Sequence, residues 1–211
     1  MADDSTVFIV DDDHGTRSVL RALVKSLGYP VSEFPSAERF IESVPPSSTG
    51  CLVTDLRMPG MSGIELQKQI AVVGFHMPVI VISGYATATD AVAAMQNGAV
   101  TLLEKPIEKS QLASYIRQAL QIDSDCRQAR AARLEMRTRI ASLSPTEREV
   151  MDGLLLGKPN KQIARELDVS LRTVEGRRRA VFQKTQSDSI AALMELVIQS
   201  REPQSGSSRV A

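Results

Sequence analysis

The sequence is poor in cysteine: Cys51 and Cys126 are the only two, and they form no CxxC pair. That pattern excludes a disulfide framework and fits a reducing cytoplasm. Long hydrophobic runs are also missing. Stretches such as "VIVI" at 79–82 fall far short of the ~20 apolar residues that a bilayer crossing requires. The opening "MADDSTVFIVDDD" is too acidic and too poor in apolar residues for a signal peptide. No membrane partner is expected, and no internal repeat is evident. Net charge is absent as well, since 25 Lys+Arg balance 25 Asp+Glu over 211 residues. The balance conceals an asymmetry: residues 1–125 carry 15 acids against 9 bases, and residues 126–211 carry 10 against 16. An acidic half joined to a basic half implies two modules with different partners, the second a candidate for nucleic acid.

What is present is ordinary globular composition, 43% apolar and 24% charged. In the first half, "VFIV" (7–10), "YPVSEF" (29–34), "CLVT" (51–54), "PVIVIS" (78–83) and "VTLLE" (100–104) have strand character. Most are too continuously apolar to have one wet face, which favours a parallel sheet covered on both sides. Amphipathic stretches at 14–27, 36–43, 62–72 and 87–96 separate them. In the first of these, Val19, Leu20, Leu23, Val24 and Leu27 form an apolar stripe that stops at Gly28. Five strands alternating with helices predict a doubly wound α/β domain over residues 1–122.

From Glu108 to Pro145 neither glycine nor proline interrupts the chain. The pattern predicts one long helix over the linker 123–141 rather than a break near "DSDC". Residues 142–199 then read as four helices. "SPTE" at 144–147 supplies a cap, a first-turn proline and a capping-box glutamate. The composition of 200–211, "SREPQSGSSRVA", is that of a disordered tail.

"VTDLRMPGMSG" (53–63) places Asp55 at the end of an apolar strand, where a lone ionised carboxylate is costly unless something pairs with it. In a parallel sheet the strand C-termini share one edge, and ligands bind there at the switch point of strand order. Asp11 and Asp12 follow the first strand, Asp55 the third, Ser83 ends the fourth, and Lys105 follows the fifth. Three carboxylates gathered there would invite a hard divalent cation such as Mg²⁺. With a lysine and a hydroxyl to grip oxygens, the set suits a phosphoryl group on a carboxylate nucleophile. Taken singly, aspartates after strands often only cap the next helix, and Asp13 is expected to do so. His14 is read as a first-turn residue rather than a ligand, and His76 carries no signal.

Together, "VDDD", "DLRMPGMSG", "VISGYA" and "LLEKP" resemble the flavodoxin-like receiver domain of bacterial two-component response regulators. The resemblance implies that Asp55 takes a phosphoryl group from a sensor histidine kinase. It further implies that Asp12, Asp55 and the backbone carbonyl of Arg57 bind Mg²⁺, with Asp11 acting through water. Ser83 and Lys105 would contact the phosphoryl oxygens, and the Lys105–Pro106 bond would be cis. Related regulators dimerise through the surface formed here by helix 87–96, strand 100–104 and helix 108–122. Where many receivers carry an aromatic residue that swings inward, three positions before the lysine, this chain has Leu102.

"NKQIARELDVSLRTVEGRRRAVFQKT" (160–185) has helix-turn-helix spacing. Ile163, Ala164 and Leu167 would face inward, Val169 would pack in the turn, and Val174 with Val181 or Phe182 would anchor the second helix. That leaves Arg172, Thr173, Glu175, Gly176, Arg177, Arg178, Arg179 and Lys184 for the open face or its flanks. Arginines can hold phosphates or read guanine, and glutamate can accept from cytosine. Residues 142–199 resemble the LuxR-type DNA-binding domain, so the whole chain resembles a response regulator of the NarL/FixJ family. Many relatives carry histidine where Arg177 stands and a bulkier residue at Gly176.

The function so implied is a DNA-binding transcriptional regulator, not an enzyme, switched by phosphorylation, dimerising on promoter DNA and able to meet RNA polymerase. Other readings stand beside it. The first module could be an unphosphorylated interaction domain. An aspartate-nucleophile phosphatase would need a second aspartate two residues after Asp55, and Arg57 is there. A sigma-factor-like region shares the "TEREV…IA…S…TV" grammar of the second module.

Overall fold

The computed structural model describes residues 5–201, in two compact units, 5–126 and 127–201. Ten residues of the tail expected to be disordered, 202–211, lie outside the described range. Its first two positions belong to the last helix.

The first unit contains strands β1 (Thr6–Val10), β2 (Val31–Phe34), β3 (Gly50–Asp55), β4 (Val79–Ser83) and β5 (Ala99–Glu104). They pair in parallel in the order β2-β1-β3-β4-β5. The doubly wound five-stranded sheet expected from the sequence is thus found. Helices α1 (His14–Ser26), α2 (Ala37–Ser43), α3 (Gly63–Val73), α4 (Ala88–Gln96) and α5 (Lys109–Ala141) cross over between strands or follow the last. Strand parity divides the core in two. Phe8, Val10, Leu52, Val79 and Val81 join Phe40 of α2, Leu66 and Ile70 of α3 and Ala94 of α4. Val7, Ile9, Val53, Ile80 and Ile82 join Leu20 and Val24 of α1 with Leu112 and Ile116 of α5. Val19, assigned to the α1 stripe from sequence, is instead 62% exposed. It sits about 100° around the helix from Leu20, beyond the edge of the buried face.

Each helix start has a chemical reason. Asp13 caps α1 through the Thr16 N–H. Ser62 with Glu65 and Thr87 with Asp90 form capping boxes on α3 and α4. α5 runs unbroken through "DSDC". There the buried carboxylate of Asp123 accepts the Gly50 N–H at the start of β3, 3.1 Å away.

The second unit comprises the end of α5 and helices α6 (Pro145–Leu155), α7 (Asn160–Glu166), α8 (Leu171–Thr185) and α9 (Ile190–Arg201). Ser144 and Glu147 complete the capping box at α6, with Pro145 in its first turn. Val150 and Leu154 of α6 pack with Ile163, Ala164 and Val174, while Leu167, Val169 and Phe182 close the cluster. Among the described residues no helix is long and apolar enough to cross a membrane.

Candidate phosphoacceptor pocket and DNA-binding face

Strand order reverses between β1 and β3, so the crevice of this sheet opens at their C-terminal ends. Asp11 follows β1 and Asp55 ends β3, and both are buried. The chain reaches this geometry through close backbone packing. A Cβ at Gly63 would lie 2.2 Å from the Asp55 carbonyl oxygen, so only glycine lets α3 start against the backbone of Asp55.

Lys105 meets the buried charge. Its Nζ lies 2.6 Å from Asp55 Oδ1 and 3.1 Å from Asp11 Oδ2. The other Asp55 oxygen, Oδ2, accepts the Arg57 backbone N–H at 2.8 Å, and Asp11 Oδ1 accepts that of Asp13 at 2.8 Å. Burial raises the Asp11 carboxyl above its ordinary value, against the lowering pull of the Asp13 N–H and Lys105. For Lys105, burial pulls downward, but hydrogen bonds to Asp55 and Asp11 prevail and the ammonium is raised. The Lys105–Pro106 peptide is cis.

Two site residues stand apart from this pair. Asp12 is exposed, and among the described residues no three His, Cys, Asp or Glu side chains gather closely enough to hold a metal by themselves. Asp11 and Asp55 thus form a pair bridged by Lys105, while Asp12 of the expected carboxylate set is open to solvent. Ser83 is buried at the end of β4, and its hydroxyl donates to the Tyr85 carbonyl at 2.8 Å while accepting the Tyr85 N–H at 3.1 Å. The sequence reading passed over Tyr85 and Asp90, which flank the pocket mouth with the Arg57 side chain. The "TATD" capping box that opens α4 is the one sequence signal for Asp90, and Tyr85 has none.

In the second unit a four-residue turn separates α7 from α8, with Asp168 in a left-handed conformation at φ 51°. Val174 and Val181 bury one side of α8. Arg172, Glu175, Gly176 and Arg179 are all exposed, and their i, i+3, i+4, i+7 spacing puts them on one stripe. The remaining positions are more tied down. Thr173 shares the N-cap with Ser170. Arg177 is half-buried. Arg178 donates to Asn160 Oδ1 at 3.1 Å and lies over the Phe182 ring. Lys184 pairs with Glu147 at 2.6 Å.

This geometry has counterparts. The model of the response regulator receiver domain matches residues 7–117, and that of the bacterial regulatory proteins of the luxR family matches 141–197. The transcriptional regulatory protein FixJ of Bradyrhizobium diazoefficiens is 40% identical over 91% of this chain and 94% of its own length. The chain is a response regulator of the NarL/FixJ family. Other relatives of this response regulator include TodT of Pseudomonas putida, 38% identical over 90% of this chain and 84% of its own. Among solved structures, the response regulator StyR superposes with a TM-score of 0.84 at 40% identity, covering 92% of this chain and 98% of that one. Full-length FixJ from B. japonicum gives 0.58 at 39% identity, covering 93% and 97%. As a response regulator the protein couples a receiver to a luxR-type DNA-binding domain and regulates transcription in a phosphorylation-dependent way.

Proposed function

We propose that Asp55 is the phosphoacceptor of this regulator. The observation that carries the reading is the contact of Lys105 Nζ with Asp55 Oδ1 at the switch point of the sheet, beside buried Asp11. A carboxylate oxygen of Asp55 attacks the phosphorus of a phosphohistidine on the sensor kinase. The P–N bond breaks, its electrons leave with the imidazole, and an acyl phosphate forms on Asp55. Lys105 stays within reach of the transferred oxygens, and Ser83 supplies a hydroxyl once it leaves Tyr85. The donors here are hard oxygens, which suit Mg²⁺. Asp12, Asp55 and the Arg57 carbonyl would hold the ion and Asp11 would act through water. When bound, it supplies neutralisation of charge between carboxylate and phosphoryl oxygens.

The phosphorylated receiver dimerises through α4, β5 and the first part of α5, and two copies of α8 then address paired half-sites of promoter DNA at high effective concentration. Arg172, Glu175, Gly176 and Arg179 form the face that meets the groove. Thr173, Arg177, Arg178 and Lys184 flank it, and contacts to RNA polymerase follow from promoter binding. Labelling with a small phosphodonor and Mg²⁺ tests the assignment: wild type takes label and Asp55→Asn takes none. Equal labelling of Asp55→Asn overturns it.

A further inference from the structure

We infer that the Arg57 side chain and the Asp90 carboxylate form a charge clasp that carries the state of Asp55 to helix α4. The inference rests on Asp55 being the phosphoacceptor. The backbone N–H of Arg57 binds Asp55 Oδ2, so this residue is fixed to the nucleophile. Its guanidinium reaches Asp90 Oδ2 at 3.5 Å and lies over the Tyr85 ring at 5.7 Å. Asp90 Oδ2 is also the atom that caps α4, accepting the Thr87 N–H at 3.0 Å and the Thr87 hydroxyl at 2.9 Å. One oxygen therefore serves both the helix cap and the arginine.

α4 has little else to hold it. Ala94 is its one buried residue, and Val92 and Met95 are exposed. Among the described residues its further side-chain ties are Gln67 Nε2 to the Ala94 carbonyl at 3.2 Å and Asn97 Nδ2 to the Ala93 carbonyl at 2.7 Å. The aromatic lever common in receivers is replaced by Leu102, half-buried against the apolar core. The contacts Ser83–Tyr85–Arg57–Asp90 run from the pocket to the first turn of α4.

Phosphorylation replaces the single charge of the Asp55 carboxylate with roughly two on the phosphoryl oxygens, a gain of about one beside the arginine, while Asp90 keeps its single charge. The Arg57 side chain is 62% exposed, and exposed pairs of this kind are weak, so the clasp yields to the stronger anion. If Ser83 turns to the phosphoryl oxygens, it releases the Tyr85 backbone and loosens the ring beneath Arg57 at the same moment. The first turn of α4 then loses its tether.

The test uses the full chain with acetyl phosphate and Mg²⁺, reading Asp55 labelling and amide hydrogen exchange across 87–96. In wild type, phosphorylation should speed exchange in the first turn of α4 by about 1.5- to 5-fold, the range for losing an exposed ion pair. Asp90→Asn keeps an oxygen for the cap but no charge. It should exchange at the faster rate before phosphorylation, gain little afterwards, and take label at Asp55 as wild type does. Arg57→Gln should give the same exchange pattern. Slow exchange in both unphosphorylated variants, with a wild-type increase on phosphorylation, overturns the clasp alone. A wild type that takes no label at Asp55 overturns the phosphoacceptor reading and the clasp with it.

Discussion

Replacing Gly176 with alanine should stabilise the DNA-binding unit, and the structure sets the size of the gain. Gly176 lies inside α8, and a Cβ built there meets nothing within 4 Å. Glycine in a helix interior costs about 0.8–1.0 kcal/mol relative to alanine, and no packing term opposes its removal. Amides of Val174 and Val181, both fully buried, exchange through opening of this unit, so a gain of about 1 kcal/mol slows them roughly five-fold. Gly153→Ala in α6 supplies the control, with the same helix term and the opposite packing. Its methyl would lie 2.9 Å from both Cδ1 and Cγ1 of Ile163, a buried β-branched side chain with little freedom to move. Overpacking costs about 1–3 kcal/mol, so Gly153→Ala should speed the same amides. Hydrogen exchange on the full chain reads both. Shifts of the same sign would refute the reasoning, because what the new methyl touches would not be deciding the outcome. Gly176→Ala also separates stability from recognition: if α8 brings the Gly176 backbone close to the groove, DNA affinity falls while exchange slows.

Asp11→Asn should stabilise the receiver at neutral pH by roughly 0.5–2 kcal/mol, since the amide can still accept the Asp13 N–H. Burial raises the Asp11 carboxyl, so the cost of ionising it is absent below the ordinary carboxylate range and fully present above the raised value. The advantage of the variant should therefore grow as pH rises through that window; urea unfolding showing a constant or falling advantage counts against the account. Arg172→Ala or Arg179→Ala should each lower the salt slope of DNA binding by about 1 for a lost phosphate contact and leave stability unchanged. Arg178→Ala should weaken binding and also destabilise the unit, because its contacts to Asn160 and Phe182 disappear; unchanged thermal stability would contradict this. In sedimentation, phosphodonor should raise mass and DNA affinity together. A monomer whose affinity rises would remove dimerisation as the switch.

The sequence was informative wherever chemistry follows from topology. Asp11, Asp55, Ser83 and Lys105 could be grouped because parallel strands end on one edge, and the strands themselves stand out as short, continuously apolar runs. The inward face of the helix-turn-helix was legible for the same reason, since Ile163, Ala164 and Val174 are fixed by helical period. Contacts between loops were not. Arg57 and Asp90 are 33 residues apart, Gly50 and Asp123 73 apart, and no periodicity links either pair. Lys184 illustrates the limit from the other side. Its position on α8 suggested an open cation, but the capping glutamate of α6 comes within 2.6 Å once the helices pack.

The alternation of β-strand side chains has a consequence for how this receiver tolerates change. Because successive residues of β4 serve opposite layers, Val79 and Val81 on one and Ile80 and Ile82 on the other, the sheet works as a bulkhead between two compartments. Truncations on opposite sides, such as Leu66 in α3 and Leu112 in α5, share no packing partner, so their energetic effects should simply add. Variation can accumulate in the compartment that contains α4 without being answered by compensation behind the sheet, where α1 and α5 keep their own packing.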